Sequence, residues 1–313
     1  MAAKKSYRVS NWSSYNRSLI ERGSLTIWFN EAAIKKWNAI DKTGKRGRPG
    51  TYSDIAIETA LSLRAIFKLP LRATQGLVGS MITLMNLPLK NPDYSTLCRR
   101  QLSLEVQLPR THSGQSLHVV VDATGLKIFG EGEWKVRQHG YSKRRTWRKL
   151  HLAIDEGSSE ILVSIFTEAD GGDGEQLPEM LNSIEEPIAQ VSGDGAYDSW
   201  DNHEAIAERG AKATIPPRKG SRIRQHGNTA KATLPRDEIL RAIRKMGKAA
   251  WKKTSGYHRR SIAENVMYRL KTLFGDSLSN RLFEHQATEA FIRCSVLNKM
   301  THLGMPKSYM VND

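Results

Sequence analysis

One apolar segment that ends in a carboxylate constrains the fold of this chain more than any other feature. Residues 117–122 read LHVVVD, a nearly continuous run of β-branched side chains before Asp122. Such runs are typical of strands that are buried on both faces, as in α/β sheets covered by helices. The segment therefore predicts an α/β domain with Asp122 at the end of a buried strand.

Strands and helices alternate along residues 111–305. We predict further strands over 147–155, 160–166, 188–192 and 212–215, and helices over 176–184, 202–209, 236–248, 257–271 and 283–300. Residues 218–256 are polar and strongly basic, and they form an insertion. This order of elements predicts a mixed five-stranded sheet with flanking helices, followed by a C-terminal tail at 306–313.

Residues 1–50 form a basic arm without a clear period. The arm ends in the sequence GKRGRPG, in which Arg46 and Arg48 flank a glycine. This core is similar to the AT-hook, whose extended arginines enter a narrow minor groove. The alternative is a flexible basic linker, which would still meet phosphates. We therefore predict that Arg46 and Arg48 contact DNA.

Residues 51–110 have a helical pattern. Ser53 is a plausible N-cap for a helix to about residue 68, and further helices are predicted over 71–85 and 94–101. Three short helices fit an all-α helix-turn-helix module, whose last helix meets DNA. Its candidate DNA contacts are Ser95, Thr96, Arg99 and Arg100. The alternative is a plain helical bundle whose arginines are solvated.

The charge of the chain restricts the class of partner. Its 313 residues carry a formal net charge of +16, which favours a polyanion. Nucleic acid is favoured over membrane, because no long basic amphipathic helix dominates and no run of about 18 apolar residues occurs. The sequence has no secretory h-region and no P-loop. We expect a soluble, cytoplasmic protein with no membrane partner and no nucleotide cofactor.

Residues 135–145 form a dense basic cluster between the first two predicted strands. Lys143, Arg144 and Arg145 end the cluster, and aromatic residues are interleaved with its cations. This combination suits a surface that grips phosphates and stacks on bases. The alternative is a solvated turn, but the number of positive charges favours an anionic partner. We predict DNA contacts for Lys143, Arg144 and Arg145.

Two further carboxylates lie in positions that suit chemistry. Asp194 is flanked by glycines at the end of the strand predicted over 188–192, where backbone can approach a ligand closely. Glu264 follows Arg260 by four residues, so the two side chains share one helix face. Taken alone, that face is more often a solvated charge stripe than a functional site.

Three motifs, taken in order, resemble those of a known enzyme family. They are Asp122-Ala-Thr-Gly, Gly-Asp194-Gly-Ala-Tyr-Asp198-Ser and Tyr257-x2-Arg260-x3-Glu264-x6-Lys271. The third matches, at full spacing, the signature around the glutamate of bacterial insertion-sequence DDE transposases. Over essentially its whole length, the chain resembles transposases of the insertion-sequence-five family.

The resemblance implies a fold, an activity and partners. The implied fold is an RNase H-like catalytic domain over residues 111–305, behind a helix-turn-helix-type module. The implied enzyme binds the terminal inverted repeats of its own element, cuts the strands and joins them to target DNA. Joining two ends requires two DNA sites, so a homodimer is expected in the DNA complex. The implied location is the bacterial cytoplasm, at the nucleoid when DNA is bound.

The resemblance also implies a metal site. Three converging carboxylates would repel one another unless cations neutralised them, and oxygen ligands suit Mg²⁺ or Mn²⁺. The implied ligands of two such ions are Asp122, Asp194 and Glu264, with Asp122 as the bridging ligand. The implied phosphate-holding residues are Tyr257, Arg260 and Lys271.

Other readings remain open at this point. A catalytically silent, sequence-specific DNA-binding protein could keep the same fold, although a binder does not need the intact acid set. A simple nuclease of the fold would lack strand transfer. Two further acids, Asp155 and Asp198, do not fall at a ligand position of the motifs, and for both we predict solvent-facing or turn-capping roles.

Overall fold

The computed structural model describes residues 6–39, 51–111, 114–128, 147–226 and 232–311. Two groups of predicted DNA contacts lie outside these residues: Arg46 and Arg48 of the AT-hook-like core, and Lys143, Arg144 and Arg145 of the basic cluster. Among the described residues, no helix is both long and apolar enough to cross a bilayer.

The described chain contains helices and strands throughout. The helices are α1 (Trp12–Glu21), α2 (Leu25–Trp28), α3 (Glu31–Lys35), α4 (Asp54–Phe67), α5 (Leu71–Leu84), α6 (Tyr94–Arg100), α7 (Leu177–Asn182), α8 (Trp200–Glu208), α9 (Pro235–Met246), α10 (Lys248–Thr254), α11 (Ser261–Phe274) and α12 (Phe283–Leu303). The strands are β1 (Ser6–Val9), β2 (Leu117–Ile128), β3 (Trp147–Asp155), β4 (Ile161–Glu168), β5 (Ile188–Ser192), β6 (Lys212–Thr214), β7 (Ser277–Leu278) and β8 (Ser308–Val311).

The chain divides into two compact units. The first combines Met1–Pro109 with Leu282–Asp313, and the second is Arg110–Arg281. These limits differ from the predicted catalytic domain of 111–305, because α12 groups with the first unit. There it packs on α4, where Glu58 accepts hydrogen bonds from Ser295 and Lys299 at 3.1 and 3.3 Å.

The first unit is helical, as its pattern predicts. Ser53 caps α4 by accepting a hydrogen bond from the backbone N–H of Ala56 at 3.2 Å, which confirms the predicted start of this helix. The unit is not all-α, however. Strands β1 and β8 pair antiparallel, so the predicted C-terminal tail supplies a strand. Local patterns do not reveal a pairing between the two ends of a chain.

The second unit is built on a mixed sheet with the strand order β4-β3-β2-β5-β6, which confirms the predicted mixed α/β architecture. Strand β2 pairs antiparallel with β3 and parallel with β5, and β5 pairs parallel with β6. The two-residue strand β7 adds to β2, so the sheet has six described strands rather than the predicted five.

The prediction that the first strand ends at Asp122 is wrong. Strand β2 continues to Ile128, and its residues from Ala123 to Lys127 pair with β3. Gly125 lies against the ring of Trp147 on β3, since a Cβ there would lie 3.1 Å from that ring. Asp122 therefore lies in the middle of a long strand, and the paired residues before and after it hold its backbone in place.

Helices cover the sheet of the second unit with apolar side chains. One continuous core joins strands β2, β3, β4, β5 and β6 to helices α7, α8, α9 and α10. The described residues of the basic insertion, 218–226 and 232–256, contain two helices, α9 and α10, where one was predicted. They are separate because Gly247 between them has a φ of +85°, a conformation that a helix cannot include.

Candidate active site

The register of two parallel strands places Asp122 beside Asp194. Val120 on β2 pairs with Ser192 on β5, and each carboxylate lies two residues further along its strand direction. Neighbouring strands are about 4.8 Å apart, so the two residues reach the same edge of the paired region. This is the end of β5, the side of a parallel pair on which ligands commonly bind in α/β sheets.

A short 3-10 turn fixes the backbone around Asp194. The Asp194 Oδ1 atom accepts a hydrogen bond from the backbone N–H of Ala196 at 2.8 Å, which caps the turn Gly195–Tyr197. Gly193 lets this turn pack closely. A Cβ at that position would lie 3.1 Å from both the ring of Tyr197 and the side chain of Val121.

Arg260 connects Asp122 with Glu264. Its guanidinium donates to Asp122 Oδ2 at 2.9 Å through one nitrogen and to Glu264 Oε1 at 2.7 Å through another. The side chains of Arg260 and Asp122 are 19% and 18% exposed, whereas Glu264 is 62% exposed. These hydrogen bonds link the late helix α11 to the central strand, and the Glu264 carboxylate stays exposed to solvent.

Helix α11 is held in place by its buried apolar face, which lies opposite Glu264. Its buried residues are Ala263, Val266, Met267, Leu270 and Phe274. Val266 and Leu270 lie on this buried apolar face, while Ile262 and Leu273 are half-buried. Residues 257–260 form a 3-10 turn rather than the first turn of the helix, a common arrangement at helix N-termini.

The charges of the site act on one another. Burial raises the pKa of Asp122, and the charges of Asp194 and Glu264 raise it further. The backbone N–H of Ala123 and the charge of Arg260 oppose this rise. Burial alone would lower the pKa of Arg260, but the neighbouring carboxylates, Asp122 foremost, raise it. The three acids therefore share one electrostatic environment, in which Arg260 is a neutralising cation.

Two family models described as the transposase DDE domain match this chain. One matches residues 20–131 and the other residues 113–299. The second match alone covers more than half of the sequence. The chain belongs to the DDE transposase family. It is a polynucleotidyl transferase that acts on DNA, and the recognition of an insertion-sequence DDE transposase from its motifs is confirmed.

The transposase is also similar to two solved structures. One is the piggyBac transposase synaptic complex with hairpin DNA, which is 10% identical with a TM-score of 0.38 over 96% of this chain and 78% of that chain. The other is the Drosophila P element transposase strand transfer complex, which is 13% identical with a TM-score of 0.32 over 90% and 71%. Neither likeness is strong enough to support a statement about this transposase.

DDE transposases depend on divalent metal ions, so the site residues must suit such an ion. Among the described residues, no group of three or more His, Cys, Asp or Glu side chains is arranged as a metal site. The donor atoms nevertheless fit, because carboxylate oxygens are the ligands that Mg²⁺ and Mn²⁺ prefer. The charges of Asp194 and Glu264 both raise the pKa of Asp122, so the three acids are close enough to act on one another.

The other residues of the signature occupy different surroundings. The half-buried ring of Tyr257 lies under the Lys252 ammonium, 4.7 Å from the ring centroid, and 6.0 Å from the Arg260 guanidinium. Lys271 lies further along α11. A hydrogen bond from Lys127 holds the pKa of Asp276 below its usual range, and the charge of Lys271 adds to this effect. Tyr257 is therefore close to Arg260, whereas the described contacts do not bring Lys271 to the acids.

Sequence reasoning missed Tyr197 as part of this site. Its ring is buried, and its hydroxyl has no hydrogen-bond partner among the described residues. Burial raises the pKa of Tyr197, and the charges of Asp122, Asp173 and Asp194 add to the effect. Asp173 in turn pairs with Lys149 at 2.9 Å. The only signal in the sequence was the position of Tyr197 three residues after Asp194.

The prediction of a solvent-facing or turn-capping role is wrong for Asp198. Its side chain is fully buried and makes a bidentate ion pair with Arg236, with both distances 2.7 Å. The reason is that α9 of the insertion returns to the sheet, which a local pattern cannot show. Asp155, in contrast, caps a turn by accepting from the N–H of Ser158 at 2.8 Å, as predicted.

The candidate DNA contacts of the helical unit differ in solvent exposure and in the contacts they make within the protein. Ser95 and Arg99 are exposed on α6, and Thr96 is half-buried. Arg100 donates to the carbonyl of Tyr52 at 2.8 Å and also pairs with Asp54. Arg100 therefore stabilises the start of α4, and DNA contact by any of the four remains a prediction.

Proposed function

We propose that this transposase belongs to the insertion-sequence-five group and moves its own element. It binds the terminal inverted repeats of that element, cleaves a strand at each end and transfers the end to target DNA. The observation that supports this proposal most strongly is the fork of Arg260 between Asp122 and Glu264, beside the strand end that leads to Asp194. These contacts support a shared role for the three acids of the DDE signature.

The proposed roles follow from position. Asp122, on the central strand, would hold two Mg²⁺ or Mn²⁺ ions together with Asp194 and Glu264. When bound, such ions would supply Lewis-acid activation of a water or a DNA 3′-hydroxyl and charge stabilisation at the leaving oxygen. The protein's own contribution is to hold the acids rigidly on β2 and on the capped turn, while the exposed Glu264 closes the set.

The cations and the phenol of the signature are proposed to hold DNA phosphates near the scissile bond. Arg260 has the planar fork that suits a phosphate, and its pKa is raised, so it keeps its charge. Cation–π contacts with Lys252 and with Arg260 restrain the ring of Tyr257. Lys271 is proposed to reach a phosphate further along the same strand.

Other parts of the chain are proposed to recognise the element. The proposed domains are a basic arm at 1–50, a helix-turn-helix-type module at 51–110 and an RNase H-like catalytic domain that starts at 111. Exposed Arg99 on α6 supports the module's contact with DNA, since a free guanidinium can bind a phosphate. We further propose that two copies act together on paired ends, in the bacterial cytoplasm.

A cleavage and joining assay tests the proposal. The purified chain is mixed with duplexes that end in the inverted repeats flanking its coding region, with and without Mn²⁺. We expect metal-dependent nicks at the repeat ends, followed by joined products with target DNA. Binding without nicking would contradict the proposal and favour a catalytically silent binder. Nicking without joining would instead indicate a simple nuclease.

A further inference from the structure

We propose that Asp198 and Arg236 form a buried anchor that holds the turn carrying Asp194 in the position needed for metal binding. The inference rests on the proposed role of Asp194 as a ligand. Asp198 is a positioning residue in this account, because it acts through the backbone that leads to Asp194. Neither Asp198 nor any residue of the insertion belongs to the acid set of the motifs.

The carboxylate of Asp198 gathers donors from three separate segments. Arg236 on α9 donates through two nitrogens at 2.7 Å, and the backbone N–H of Arg218 donates at 2.8 Å. His203 on α8 lies 3.3 Å from the same carboxylate, and Ser221 donates at 3.3 Å. These contacts fix Asp198 against helix α8 and the insertion, both of which follow it in the chain.

The turn between Asp194 and Asp198 is held along its backbone as well. The Arg218 guanidinium donates to the carbonyl of Gly195 at 2.9 Å and to the carbonyl of Ala196 at 2.6 Å. The side-chain amide of Asn202 donates to the carbonyl of Tyr197 at 3.0 Å. Each of the three carbonyls after Asp194 thus accepts a bond from a side chain outside the turn.

A buried ion pair of this kind is poorly explained by stability alone. Removing two charges from water costs free energy, which their mutual attraction only partly offsets, and apolar residues often serve as well. Directed, charge-assisted hydrogen bonds do provide one thing that apolar contacts lack, a fixed orientation. Asp198 lies four residues after Asp194, the proposed metal ligand. The fixed orientation of the ion pair therefore also restrains the position of Asp194.

The neighbouring Asp237 offers a matched control. It is also fully buried on α9, and it accepts hydrogen bonds from the backbone N–H groups of Arg224 and Gln225 at 3.1 and 2.7 Å. It therefore holds a loop of the insertion through charge-assisted bonds, as Asp198 does. The described contacts of Asp237 do not include the turn after Asp194.

The test compares Mn²⁺ binding by Asp198→Asn, Asp237→Asn and Asp194→Asn in the full-length chain. Free Mn²⁺ is followed by electron paramagnetic resonance, and folding by thermal unfolding. We expect Asp198→Asn to weaken Mn²⁺ binding about 10- to 100-fold, the scale of losing an outer support of a metal ligand. Asp237→Asn removes an equal charge and should change Mn²⁺ binding less than about twofold, although it also lowers the melting temperature.

Three results separate the possible failures. Wild-type Mn²⁺ affinity in folded Asp198→Asn would overturn the inference, and so would an equal loss in Asp237→Asn. Wild-type affinity in Asp194→Asn would instead overturn the proposed ligand role on which the inference rests. A loss in Asp194→Asn and Asp198→Asn, with none in Asp237→Asn, supports both.

Arg218→Met provides a second variant if Asp198→Asn does not fold. Arg218 is exposed, so its truncation leaves the core intact, and the backbone N–H still binds Asp198. Loss of a positive charge alone would strengthen cation binding. We nevertheless expect Arg218→Met to weaken Mn²⁺ binding, by about tenfold, because two carbonyls of the turn lose their donor. Unchanged or tighter binding would overturn the inference.

Discussion

Arg260 lies 138 residues after Asp122 in the chain and donates a hydrogen bond of 2.9 Å to its carboxylate. This contact joins the late helix to the central strand of the sheet. The same guanidinium also binds Glu264, so one cation neutralises two of the three acids in the DNA-free chain. We infer that the acids can approach one another before a metal ion arrives because Arg260 reduces their repulsion.

Replacing Arg260 tests this relationship. We expect Arg260→Ala to slow end cleavage by about 10- to 100-fold, since hydrogen bonds to charged groups contribute about 1.5–3 kcal/mol. Arg259→Ala is the control, because Arg259 is a mostly exposed cation on the same turn and pairs with Glu156 instead. Single-turnover cleavage of a repeat-ended duplex is the measurement. Equal rates for both variants would contradict the role of the fork.

The packing of the buried face of α11 is expected to control the position of Glu264. Leu270 is fully buried, and Leu270→Ala should lower the free energy of unfolding by about 2–5 kcal/mol. Tyr268→Ala, at a residue that is 70% exposed, should change it by less than about 0.5 kcal/mol. Denaturant unfolding measures both values. Similar losses in the two variants would show that α11 is not held by this face.

Two adjacent arginines on α6 are expected to behave differently. Arg99→Ala should weaken binding to DNA of any sequence and reduce the salt dependence of binding by about one ion, with no loss of thermal stability. Arg100→Ala should mainly lower the melting temperature, because it removes the contacts with Tyr52 and Asp54. Fluorescence anisotropy at several salt concentrations, together with thermal unfolding, distinguishes them. Equal DNA affinity of wild type and Arg99→Ala would count against contact by this helix.

The buried anchor predicts a pH dependence of stability. Burial alone would raise the pKa of Asp198, but hydrogen bonds from His203, Arg236 and Arg218 hold it well below its usual range. Because this pKa is depressed in the folded state, its stabilising effect is present above the unfolded pKa of about 3.9 and is lost as pH falls further.

Asp198→Asn should therefore cost about 3 kcal/mol near pH 7, the scale of breaking a buried pair. The difference from wild type should shrink below about pH 4. Urea unfolding of both proteins between pH 3 and pH 7 measures this difference. A difference that stays constant across the range would show that the ionised form of Asp198 is not the stabilising species.

The sequence predicts elements well where one local pattern determines them. Strands β3 and β5 have the bounds that their apolar runs predict, and Ser53 caps α4 as expected. In contrast, the extension of β2 past Asp122 depends on pairing with β3, and β1 depends on β8 at the other end of the chain. Long-range pairing is not encoded in any short window of residues.

The residues of the candidate site were likewise predictable only where a local motif identifies them. Motif spacing identifies Asp122, Asp194 and Glu264 as a set, and the structure brings Asp122 to Glu264 through Arg260. The spacing did not indicate that Asp198 is buried, because its partner Arg236 lies 38 residues later in the basic insertion. Tyr197 was missed for a related reason, since its burial depends on packing against Gly193 and Val121.

The central claim is that Asp122, Asp194 and Glu264 act together as the metal-binding acids of this transposase. The most direct test is cleavage of a repeat-ended duplex by Asp122→Asn, Asp194→Asn and Glu264→Gln in Mn²⁺, with Asp155→Asn as the control for a turn-capping acid. We predict that each of the three loses about 1,000-fold or more in cleavage rate while binding the duplex as tightly as wild type. The control should cleave normally. Cleavage at the wild-type rate by any of the three variants would contradict the claim.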